Sequence, residues 1–89
     1  MSYQTREVGS ATVVEVTGEL DVANATELAK HLNDVFKKFP KKVILDLDGV
    51  GYMASSGLAM LVSALRKSRE MRVDFGVCGL SPIVRQSVE

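Results

Sequence analysis

Tryptophan is absent from these 89 residues, and cysteine and histidine occur once each, as Cys78 and His31. A lone cysteine makes no internal disulfide, and such usage fits a reducing, cytoplasmic compartment. One histidine and one distant cysteine match no familiar ligand spacing, so no metal site and no cofactor are expected. Charge of one sign is missing too, because 11 basic residues offset 11 acidic ones. That balance speaks against a nucleic-acid surface and against a polybasic membrane segment, so neither is an expected partner. No apolar run approaches the ~20 residues of a membrane helix. The polar opening MSYQTREVGS is no signal peptide. Without repeat, linker or low-complexity stretch, residues 1–89 read as one domain.

What is present alternates between strand and helix periods. Tyr3 to Val8 and Ala11 to Thr17 have strand character, and the Gly9-Ser10 pair between them suits a type II′ hairpin turn. Next, Ala25, Leu28, Ala29, Leu32, Val35, Phe36 and Phe39 recur at helical spacing. Asn24 with Glu27 resembles a capping box, and Pro40 ends the helix. Val43, Leu45 and Leu47 alternate around Ile44, which predicts a strand buried on both faces. Leu58, Leu61, Val62 and Leu65 mark a second helix, with Arg66, Lys67 and Arg69 placed to suit its C-terminal dipole. Val73, Phe75 and Val77 form a last strand, carrying Cys78 as a small buried residue. Ser81-Pro82 opens a third helix through Val88. Strands alternating with helices imply an α/β fold: a mixed, mostly parallel sheet that begins with a hairpin.

The chemistry concentrates in "GYMASSGLAML", residues 51 to 61. A serine pair between a strand end and a helix start can cap the helix, act as nucleophile, cradle a phosphate or receive one. A nucleophile reading needs His31 and an aspartate near Ser55 or Ser56, but the G-x-S-x-G elbow is missing. A phosphate-loop reading of Gly51 to Gly57 fails because Leu58 stands where the lysine belongs. His31, in mid-helix, reads as a partly exposed surface residue. One serine capping the helix is expected under every reading. A phosphate added here would meet the positive end of the helix dipole, on an edge that also carries Asp46, Asp48 and Asp21.

Three stretches together resemble the STAS domain of bacterial anti-sigma factor antagonists. They are "VTGELDVANATEL", "VILDLDGVGYMASSGLAMLVSALR" and "VDFGVCGLSPIVRQSVE", and the likeness runs from about Val8 to the last residue. The resemblance implies the STAS fold, with a four-stranded sheet and helices mainly on one face. It also implies a binding protein and not an enzyme. The family motif reads Asp-Ser-(Ser/Thr)-Gly-Leu, which carries the phosphorylated serine over to Ser55, with Ser56 as second choice. Asp21, Ala54, Ser55, Ser56 and Gly57 then form the partner-binding edge. The implied partners are an anti-sigma factor that is also a serine kinase, captured by the unphosphorylated form so that a sigma factor is released, and a PP2C-type phosphatase. The domain itself is expected to be a monomer or weak homo-oligomer. Two departures stand out: Ala54 replaces the motif's aspartate, and the chain is short at its C-terminus against the family's usual length. The alternative is a STAS scaffold or transporter-associated module, with Ser55 serving only as a cap.

Overall fold

Gly9, at φ +62°, turns β1 (Ser2–Val8) back onto β2 (Ala11–Leu20). Ser10 stays out of the left-handed region, which is the type II′ pattern expected of a Gly-Ser pair. The computed structural model describes residues 1–79, so the expected third helix, Ser81 to Val88, lies outside the described residues. After the hairpin come α1 (Val22–Phe36), β3 (Lys42–Met53), α2 (Ser55–Glu70) and β4 (Asp74–Cys78). The sheet order is β1-β2-β3-β4; β1 and β2 are antiparallel, and both remaining pairs are parallel.

One face of the sheet carries the core. Val14 and Val16 of β2 and Val43, Leu45 and Leu47 of β3 lie under Leu28, Leu32 and Phe36 of α1 and Met60 and Ala64 of α2. The Phe36 ring meets Phe75 of β4 edge to face at 5.5 Å, a preferred aromatic geometry. Because both helices lie on this face, β3 is not equally buried on both sides. Val43, Leu45 and Leu47 are sealed, while Ile44 and Asp46 on the opposite face are half-buried.

Three local expectations are corrected. Asp21, not Asn24, caps α1: its Oδ1 accepts the Asn24 amide at 2.9 Å. The Asn24 side chain is drawn to the Glu19 carbonyl instead, donating at 2.8 Å, so the helix starts three residues earlier than a cap at Asn24 would set it. Phe39 leaves the apolar stripe. As the residue before Pro40 it is kept from the right-handed helical region; it sits at φ +52° and is 68% exposed. Finally, the buried stripe of α2 is Gly57, Met60, Ala64 and Ser68. Leu58 and Leu61 flank it, while Val62 and Leu65 face outward.

Candidate functional site

The carboxyl edge of the parallel strands is pinned by one hydrogen bond: the Ala54 amide donates to the Leu20 carbonyl at 2.9 Å. It ties the β3–α2 turn to the β2–α1 turn. Ser55 follows one end of this bond and Asp21 the other, so residues 34 positions apart in sequence share one edge. Gly57 makes the close approach. A Cβ there would lie 2.7 Å from Met53 Cγ and 3.3 Å from Leu20 Cβ, so α2 could not start so near the two turns with a larger residue.

The cap of α2 differs from expectation. Neither serine is the N-cap; that position is Ala54, in extended backbone, and it has no side-chain bond to offer. The Ala54 carbonyl accepts from the Gly57 amide at 2.8 Å and the Leu58 amide at 3.3 Å. Among the described residues, the amides of Ser55 and Ser56 find no acceptor and are the open donors of the first turn. Ser55, the first helical residue, is exposed. Ser56 Oγ is buried with no partner among the described residues. An exposed hydroxyl thus stands at a helix start whose dipole and free amides favour a negative group.

The surroundings divide into acidic and apolar parts. Glu19, Asp21 and Asp48 are exposed at this edge, and Asp46 is held in place by accepting the Asp48 amide at 2.9 Å. Beside the serines, an open cleft of ≈ 350 Å³ runs between α1 and α2, lined in part by Val22, Thr26, Ser56 and Ala59. A second shallow groove of ≈ 440 Å³ follows α2 itself past Ser55, Leu58, Val62 and Arg66. Val22 (68% exposed) and Tyr52 (47%) complete an apolar rim that sequence reasoning missed. For Val22 the signal was present, since an apolar residue directly after a cap need not belong to the buried stripe.

The remaining candidates fall elsewhere. His31 is half-buried on α1, stacks on Tyr3 at 4.5 Å and shares a 2.6 Å hydrogen bond with Thr5 Oγ1. Both of these contacts are to β1, and neither involves the serines. Cys78 is exposed rather than buried, at the end of β4. Partial desolvation first, then the carboxylates of Asp46 and Asp48, push its thiol above the ordinary range, which disfavours the thiolate. Among the described residues, no group of three or more His, Cys, Asp or Glu residues is arranged to hold a metal ion. Likewise, no described helix is long and apolar enough to cross a membrane.

The open helix start lies at the carboxyl edge of the parallel strands, the usual ligand-facing edge of such sheets. The sequence profile of the STAS domain matches residues 2–89, and the chain belongs to that family. An anti-sigma-B factor antagonist of Staphylococcus aureus is 31% identical over 68 residues, covering 76% of this chain and 63% of the relative. The anti-sigma-F factor antagonist RsfB of Mycobacterium tuberculosis is 28% identical over 76 residues, covering 85% and 62%. The chain therefore spans about three fifths of the length of these curated relatives. Among solved structures, an anti-sigma factor antagonist from Mycobacterium paratuberculosis superposes with a TM-score of 0.86 at 27% identity, over 98% of this chain and 74% of the other. The antagonist SpoIIAA in its unphosphorylated form shares the fold, with a TM-score of 0.75 at 19% identity, over 97% and 80%.

Proposed function

We propose that this protein is an anti-sigma factor antagonist acting in the cytoplasm. In its unphosphorylated state it binds an anti-sigma factor with serine kinase activity. The kinase places a phosphate on Ser55, which ends binding, and a PP2C-type phosphatase restores it. The names of the relatives support the class of partner. The observation that carries the reading is Ser55 itself: an exposed hydroxyl on the first residue of a helix with no side-chain cap, beside Asp21 and an apolar rim. The protein contributes no catalytic group. Ala54, Ser56, Gly57 and Asp21 shape the edge that the partner meets.

The switch works through charge. A phosphate on Ser55 can take the open first-turn amides without moving α2, which is held by Gly57, Met60 and Ala64 against the core. The docking edge gains ~1.5–2 negative charges beside existing carboxylates. In support, the chain superposes about equally on the unphosphorylated and phosphorylated forms of SpoIIAA, with TM-scores of 0.75 and 0.74, so this fold serves both states.

The test pairs binding with folding. Ser55→Asp should keep the circular dichroism spectrum and melting curve yet bind a cognate anti-sigma kinase at least tenfold more weakly, about 1.4 kcal/mol. Ser55→Ala should bind constitutively and accept no phosphate. If Ser55→Asp binds as well as the unmodified protein, the charge switch is wrong. A second reading rests on Ala54, whose missing carboxylate leaves a constitutive binding module. Absence of phosphate transfer to Ser55, together with intact binding, would select it.

A further inference from the structure

Zero net charge conceals two poles. The parallel strands β2, β3 and β4 start at one end of the domain and finish at the other, and six exposed cations gather at the starting end. The finishing end carries Glu19, Asp21, Asp46 and Asp48. At the starting end two loops meet: the Asp74 amide donates to the Lys41 carbonyl at 3.4 Å, joining the α1–β3 loop to the α2–β4 loop. Around this junction stand Lys37, Lys38, Lys41, Lys42, Arg69 and Arg72, all exposed. Asp34, Glu70, Asp74 and Glu7 share that end, yet Arg6–Glu15 is the ion pair within 4 Å among the described residues. None of the six cations is held by a described carboxylate.

Phe39 lies in the middle of this basic surface, in the run "KKFPKK". Its backbone is left-handed at φ +52°, and its ring is 68% exposed. An exposed apolar ring with a lysine pair on each side has the two properties an anionic lipid surface recognises. Lysine stems reach past the ring to headgroup phosphates, and the ring enters the interface. A nucleic acid fits less well. Four of the six cations are lysines without the arginine fork, and Tyr52, which could extend a stacking platform, lies at the opposite end of the sheet. We infer that the Lys37–Lys42 tip docks on an anionic membrane surface, pointing the Ser55 edge away from the lipid. Neutrality made a membrane surface an unexpected partner; separating the charges reverses that expectation, because only the pole within a Debye length of the bilayer acts.

Vesicle flotation tests this directly, using the whole chain with phosphatidylcholine vesicles with and without phosphatidylglycerol. Binding should require phosphatidylglycerol and weaken as salt rises. Lys38→Gln/Lys41→Gln should weaken it about 30-fold, near fivefold per lysine. Phe39→Asn, which suits the left-handed backbone, should weaken binding while leaving the salt dependence unchanged. Phe39→Trp should show a blue-shifted emission on vesicles. All three positions are exposed, and an unchanged melting curve would confirm that each variant folds. No flotation at low salt, flotation that survives both variants, or an unshifted tryptophan bound as tightly by a single-stranded oligonucleotide would each overturn the inference. None of these outcomes bears on Ser55 and its partner.

Discussion

At the scale of single residues, position 54 decides how α2 begins. An aspartate there would accept a first-turn amide, and a side-chain N-cap in place of alanine is worth about 1 kcal/mol. Ala54→Asp should therefore raise the melting temperature by roughly 4–8 °C in a domain this small. It should also speed phosphorylation of Ser55 by a cognate kinase; equal rates would make the missing carboxylate irrelevant to transfer. Ser56→Ala removes a buried hydroxyl that has no partner among the described residues, so stability should stay level or rise slightly. A loss above about 1 kcal/mol would reveal a bond that the hydroxyl makes to water or to residues beyond Gly79. Cys78 supplies a pH-dependent check. Its raised pKa should keep alkylation slow near neutrality and shift the rate profile to higher pH than for a free thiol. Asp48→Asn removes one of the carboxylates that raise that pKa, and so should accelerate alkylation at fixed pH.

Among the elements, α2 separates packing from display. Met60 is 6% exposed and belongs to the core, whereas Val62, two residues on, is 52% exposed. Met60→Ala should cost about 2–5 kcal/mol, enough to threaten the fold. Val62→Lys should stay within about 0.5 kcal/mol, as for most exposed positions. Urea unfolding of the two variants would check the ranking, and equal losses would mean that the helix is rotated from the position described. For α1, the double role of Asp21 dictates the choice of variant. Asp21→Lys would remove the cap as well as the charge, so a binding loss could come from either. Asp21→Asn keeps an acceptor for the Asn24 amide and removes only the charge. It should leave the melting curve nearly unchanged while altering affinity for the anti-sigma partner.

For the molecule as a whole, the parallel sheet works as a spacer between two ends of opposite charge. The proposed phosphorylation falls on the carboxyl edge, and the proposed lipid contact on the amino edge. Sites this far apart with no shared partner behave additively, within about 0.3–0.5 kcal/mol. Lys38→Gln/Lys41→Gln should therefore leave the affinity for a soluble anti-sigma factor unchanged in vesicle-free solution. A tenfold change in that affinity would show that the ends are coupled, or that the partner reaches the basic pole.

Local pattern was enough to determine most of the architecture. Two strands around a Gly-Ser turn, the helix of α1 and the strand at Val43–Leu47 rest on short-range signals, and each element forms, although Phe39 drops out of the α1 stripe and β3 is sealed on one face only. The Ser-Ser-Gly stretch at the start of α2 was equally legible, because strand end, serine pair and close-packing glycine are consecutive. Which atom does the capping was not. Asp21 wins over Asn24 because the Asn24 side chain finds the Glu19 carbonyl, and Ala54 becomes the cap because the bond from its amide to the Leu20 carbonyl fixes where the helix can begin. The face that α2 buries was not legible either. Its stripe at Leu58, Leu61, Val62 and Leu65 and its stripe at Gly57, Met60, Ala64 and Ser68 are both periodic, and only packing against α1 chooses between them. Composition reported zero net charge correctly and could not show its arrangement. Charge is summed along a chain, but a field is felt from positions in space, and those positions exist only once the strands run side by side.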